Sequence, residues 1–315
     1  MGAVMHGGYP SGLPAGCAER VNAVDQRLAS VRETPQDGTG RPRHPNRRAE
    51  VRRGDRDALP TAPVTGARAM TRTLLDDRFA PITWSPGFLK LPLRDVADAY
   101  VSWMRGIGRR NVRAEKVDGF AESLHRLEPL VSNGRPRVLL VEMDGGWTAY
   151  FDCGVNGTDP DSPIRHLSRT LRTWGLLTEN VAPDNAGITG TASGRGGSVL
   201  FALLGPERSD FLNYVRSIQA TYTEDRWHFH ASGVEQPFEE TEAYTARRIR
   251  DRFTSEMLER YCQALGIDIF NPAAYGPRCV LVSSELPPAR PPAPPPPLTL
   301  SLADAQRRLQ IKVHH

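Results

Sequence analysis

Hydrophobic positions recur at two different periods between residues 74 and 282, and the switches between them outline the elements. Residues 138–143 are an apolar run, Asp144-Gly145-Gly146 is turn chemistry, and residues 147–153 alternate. Trp147, Ala149, Phe151 and Cys153 then share one face of a strand while Thr148, Tyr150 and Asp152 take the other, which predicts a hairpin. The same period of two, or a short apolar run, predicts strands over 175–181, 198–204, 214–222 and 227–232, the last two forming a second hairpin. Helical spacing appears where Val96, Tyr100, Trp103 and Ile107 recur over 93–106, with Pro92 at its start. Further helices are expected over 118–127, with Asp118 as cap, and after Ser162, with Pro163 in its first turn and Ile164, Leu167 and Leu171 inward. A last helical region runs over 241–265, is broken at Phe253-Thr254-Ser255, and stops at Gly266. Strands and helices in this order predict a single α+β domain. Its antiparallel sheet of about five or six strands is packed by helices.

Composition confines that domain. Residues 1–73 hold twelve arginines against seven acidic residues, while the remainder carries 28 basic and 29 acidic residues of the 40 and 36 in the whole chain. The net charge of +4 therefore belongs to the N-terminal stretch, which is rich in Gly, Pro and Arg and lacks a buryable face. We expect 1–73 to be a disordered basic tail and Met70, just before the first core-like residues, to be the true start of translation. Eight prolines fall within 287–297, so 283–315 is expected to be a Pro-rich disordered tail, with a short amphipathic helix near its end as an option. The folded part, about 74–282, is nearly neutral, which argues against nucleic acid as its partner and leaves the N-terminal arm as the place for such a contact. No stretch approaches the length of a membrane span, and Cys17, Cys153, Cys262 and Cys279 form no metal or disulfide spacing, so a reduced cytoplasmic protein is expected.

Two stretches could carry chemistry. Asp152, Asn156, Asp159 and Asp161 put several oxygen ligands within ten residues beside glycines, a composition suited to a hard divalent cation. The spacing is not that of an EF-hand, and Asp, Asn and Ser side chains in such loops also bond their own backbone. His228 and His230 share one face of a strand whose other face takes Trp227 and Phe229, and two imidazoles at that spacing can chelate a transition metal. Glu239 and Glu240, with Asp225, are the acidic residues placed to complete such a set. No nucleophile elbow, catalytic cysteine motif or phosphate loop is present.

Three stretches together, 147–163 (WTAYFDCGVNGTDPDSP), 211–240 (FLNYVRSIQATYTEDRWHFHASGVEQPFEE) and 244–267 (YTARRIRDRFTSEMLERYCQALGI), resemble a family of uncharacterised bacterial proteins. The resemblance covers about 74–276 and implies a bacterial protein with that domain boundary, with no catalytic residues to carry over. The sequence reading is therefore a non-enzymatic module that binds another protein, with a toxin-neutralising or other accessory role as its narrower form and no cofactor. The alternatives are a metal-dependent hydrolase, using His228, His230 and the acidic loop with a divalent metal, and a nucleic-acid contact by the basic arm.

Overall fold

The computed structural model describes residues 72–182, 197–207, 213–223, 226–287 and 296–311. All of them belong to the unit Thr71–His315. The expected basic arm, most of the Gly-, Asn- and Thr-rich stretch after residue 182, and most of the proline run lie outside the described residues.

A nine-stranded sheet dominates the unit, in the order β2-β10-β4-β5-β1-β6-β7-β8-β9, and every neighbouring pair is antiparallel. Its strands are β1 (Gly87–Leu89), β2 (Arg110–Asp118), β4 (Arg137–Met143), β5 (Trp147–Asp152), β6 (Gly175–Val181), β7 (Ser198–Leu204), β8 (Tyr214–Thr223), β9 (Arg226–Gly233) and β10 (Tyr275–Glu285). The expectation of five or six strands is therefore corrected to nine. The six strands read from the pattern are all present, and three more join them. Of the nine residues of β2 only Val112 and Val117 are buried, so its sequence carries no period of two. β1 is three residues long and lies in a proline-rich stretch, and β10 begins with Gly276-Pro277 before its apolar run. A small second sheet pairs β3 (Leu130–Val131) with β11 (Thr299–Leu300).

Each face of the large sheet has its own core. Helix α1 (Leu93–Gly106) buries Leu93, Val96, Ala97, Tyr100 and Met104 on Val138, Leu140, Tyr150 and Val282, while Ile107, expected inward, is exposed. Helix α3 (Asp161–Thr170) packs beside it on β1 and β6; it starts one residue before Ser162, with Pro160 in the capping position. Gly87 is required at this contact, because a Cβ there would lie 2.5 Å from Ile164 and 2.6 Å from Pro160. The opposite face carries Trp147, Ala149, Phe151, Leu176, Phe201, Ile218 and Ala220. It is covered by α2 (Phe120–Leu124), by residues 74–84 and by α4 (Ser255–Ala264).

The helical region expected over 241–265 is two short 3-10 turns, Thr241–Thr245 and Ile249–Asp251, followed by α4 alone. Thr254 caps α4 by accepting from the Met257 amide at 3.4 Å, and Gly266 follows it at φ +82°, both as the sequence suggests. Order also reaches past the expected boundary at 282: β10 continues to Glu285, and α5 (Leu302–Arg308) buries Leu302 and Ala305 in the core that holds Trp147 and Phe151. No described helix is long and apolar enough to cross a membrane. Cys153, Cys262 and Cys279 are buried free thiols.

Candidate functional site

The acidic loop folds around its first residue rather than around a cation. Asp152 ends β5 and is fully buried. Its Oδ1 accepts from the Gly154 amide at 2.9 Å and its Oδ2 from the Asp159 amide at 3.0 Å, so the carboxylate closes the loop on its own backbone. Thr158 locks the loop from the other side: its hydroxyl accepts from the Asp152 amide at 3.1 Å and donates to the Ile82 carbonyl at 2.8 Å. Arg135 Nε stands 3.1 Å from Oδ1, out of line for a hydrogen bond, and supplies charge compensation. Tyr150 donates to Oδ2 at 3.4 Å, and its ring centroid lies 6.0 Å from that of Tyr100 on α1. Burial pushes the Asp152 carboxyl up to about 6, against the pull of Arg135 and the two amides. Burial likewise raises Tyr100 and Tyr150, so both phenols stay protonated.

The other oxygen candidates do not join it. Asn156 and Asp159 are exposed, and Asp161 pairs with Arg165 one helical turn on while accepting from the Tyr214 hydroxyl at 3.2 Å. Among the described residues no group of three or more His, Cys, Asp or Glu is placed to hold a metal ion.

Glu239 belongs to a second buried network. Its side chain is fully buried and grips Arg216, which is 4% exposed: Nε donates to Oε1 at 2.9 Å and Nη2 to Oε2 at 2.6 Å. The Gln236 amide and the Tyr244 hydroxyl add bonds of 2.7 Å and 2.9 Å to the same carboxylate. Tyr244 has spent its only hydrogen there, so the 3.0 Å bond between the Tyr244 and Tyr261 hydroxyls takes its hydrogen from Tyr261. Tyr261 in turn accepts from the Glu240 amide at 2.7 Å. This chain fastens residues 236–244 to β8 and α4. Glu240 points outward to a bidentate pair with Arg260, whose hydrogen bonds hold its carboxyl below the usual range.

His228 and His230 lie on β9, opposite Thr221 and Gln219 of β8. Arg216 shares the other face with Ile218 and Ala220, so Glu239 is on the far side of the sheet from the histidines. Asp152 does point to the histidines' face, but β5 and β9 are five strand steps apart, on the order of 24 Å. The histidines and the acidic loop thus form no common site, and Asp225 lies outside the described residues.

What the histidines do share is a surface that no described helix covers. On their face α1 and α3 lie over β2, β10, β4, β5, β1 and the start of β6, and Ala202 and Leu204 of β7 are buried in the same core. Arg165 of α3 also reaches Tyr214 at the start of β8. Past Leu177, Ala202 and Ser217 no described helix covers this face of β6 to β9. The register sets Glu179, Leu200, Gln219 and His230 in one transverse row and Val181, Ser198, Thr221 and His228 in the next. Leu200, Gln219 and Thr221 are half-exposed and His230 exposed. Ser198 and Thr221 share a 2.8 Å bond and Gln219 donates to Thr221 at 2.9 Å, so the rows are braced sideways. His228 Nε2 is sheltered from solvent with no hydrogen-bond partner among the described residues. A cleft of ≈ 250 Å³ lies between the β4–β5 turn and the end of α4; its Asp268 accepts from Asn271 at 3.0 Å and Gln263 at 3.4 Å.

Fold and surface together define an α+β unit built on a nine-stranded antiparallel sheet, with a core on each face and, toward β9, one face that no described helix covers. Comparison of the chain with family models, with curated proteins and with solved structures gives no match.

Proposed function

We propose that this is a non-catalytic module of the bacterial cytoplasm that binds another protein on the part of the β6 to β9 face, around Glu179, Leu200, Gln219 and His230, that no described helix covers. The carrying observation is that two in-register rows, Glu179-Leu200-Gln219-His230 and Val181-Ser198-Thr221-His228, lie on a face that no described helix covers, with every member except the buried Ser198 at least partly exposed. Sheets of this kind are normally covered or solvated by a purely polar face. Here two aliphatic side chains, two imidazoles and amide and hydroxyl groups are mixed, with one carboxylate and neither lysine nor arginine in the two rows. That mixture resembles the weakly charged centre of a protein interface and offers nothing to a phosphate backbone. The buried engagement of Asp152 and Glu239 favours the same reading, since both carboxylates serve the fold.

A photo-crosslinking residue at Gln219 tests the proposal, with a control at Arg113 on the far edge of the sheet. The expected result is one reproducible partner from Gln219 alone, whose affinity for the purified protein falls at least about tenfold on Leu200→Glu. No partner, or equal capture from Arg113, overturns the reading.

A further inference from the structure

The two edges of the large sheet are built differently. β2 presents Arg110, Arg113, Glu115, Lys116 and Asp118 among nine residues, with Asn111 at φ +50° and an irregular register near Ser283 and Glu285. Charges and irregularity of this kind prevent an edge from adding another strand. β9 has neither: its eight residues, Arg-Trp-His-Phe-His-Ala-Ser-Gly, contain one charge, at the end, and no proline. Among the described residues its one strand neighbour is β8.

We propose that β9 pairs antiparallel with β9 of a second copy of this chain, and that the joined strands present a four-histidine site for a transition metal such as zinc. The sequence of β9 is self-complementary about Phe229. A two-fold axis there sets Phe229 against its own copy, Trp227 against Ala231 and Arg226 against Ser232, so large meets small and no like charges oppose. The same register sets His228 of each chain directly opposite His230 of the other. All four imidazoles then rise from one face, because residues two apart and residues directly opposite share a side of a sheet. Opposed Cβ atoms stand roughly 4.5–5.5 Å apart in such a pair, within reach of a shared ion. Among the described residues the single chain supplies two ligands and lacks a third, and the copy supplies two more. His228 Nε2, unbonded within the chain, gains a partner in this arrangement. The inference rests on the reading of β6 to β9 as the binding half of the molecule.

Sedimentation velocity of the full chain, across a concentration series with zinc or with a chelator, tests it together with zinc quantification. The expected result is a dimer that zinc tightens at least about tenfold, with one ion per two chains. His230→Ala and His228→Ala should each abolish the zinc effect with the circular dichroism unchanged, and His230→Lys, which places a charge on the exposed edge, should give a monomer. A monomer under all conditions, a dimer indifferent to zinc, one ion per single chain, or a dimer that survives His230→Lys overturns the proposal. A zinc-dependent dimer without a crosslinked partner at Gln219 would remove the hetero-partner reading alone. A captured partner on a monomeric, zinc-indifferent chain would remove this one alone.

Discussion

Asp152 shows how one residue decides between a ligand loop and a structural turn. Both of its oxygens are taken by amides two and seven residues further on, a closure that uses the groups a cation would need. Its raised carboxyl gives a signed expectation. The folded value of about 6 lies above the roughly 3.9 of an unfolded aspartate, so the native state holds its proton more tightly. The contribution to stability is complete below about pH 4, declines as pH rises, and is lost above about pH 6, a total of about 3 kcal/mol. Urea unfolding between pH 4 and 7 should show this decline in the wild type and lose most of it in Asp152→Asn; parallel profiles for the two proteins would contradict the assignment. The sequence placed Asp152 on the correct face of its strand, because alternation in β5 is clean. It could not show that the carboxylate turns back on its own loop, since Asn156 and Asp159 have the same composition whether they bind an ion or only water. The same limit applies to Glu239, which reads as one of several exposed acids and is buried only because Arg216, 23 residues earlier, faces it.

At the scale of elements, the Arg216–Glu239 pair is the rivet that holds residues 236–244 against β8. Glu239→Ala leaves a guanidinium 4% exposed without its counter-charge, and should cost about 3–5 kcal/mol in denaturant unfolding. Replacing both partners together, Arg216→Met with Glu239→Leu, should cost far less; an equal loss in the double variant would show that the hydrogen bonds to Gln236 and Tyr244 carry the effect instead. Legibility of elements follows burial. α1 and α4 were readable to within a residue, because each has a continuous apolar stripe and α4 has a capping threonine. β4 to β8 were readable because each buries at least one face, and β9 because Trp227, Phe229 and Ala231, partly buried, alternate against the core. β2 was not, because an edge strand with two inward valines is locally the same as solvated coil. The run over 241–253 has helix-forming residues, yet its tyrosine and phenylalanine are drawn to separate partners: Tyr244 to Phe229 at 5.2 Å and Phe253 to Tyr261 at 5.6 Å. Tertiary contacts thus override a modest local preference there.

For the whole molecule, the sheet has a half paired over long sequence separations and a half that is a meander, and the join between them is β1. Only three residues wide, β1 pairs Gly87 with Tyr150 on one side and with Leu177 on the other. One half, β6 to β9, is a simple meander in which each strand pairs with the next in sequence. The other half depends on distant partners: Arg278 of β10 meets Asp118 of β2, a separation of 278 − 118 = 160 residues. Closing a loop of that length costs chain entropy before any pairing is gained, whereas the meander repays each turn at once. The molecule should therefore assemble in sequence, with the meander forming first, β1 docking onto it, and β10 sealing the far side last. Pulsed hydrogen exchange during refolding would read this directly. Amides of β7 and β8 should gain protection ahead of Val280 and Leu281, and simultaneous protection of both sets would rule the order out. During that interval the unblunted edge at β9 exists before the rest of the fold, so nascent chains at high concentration would meet first through the same strand that we assign to pairing between mature copies.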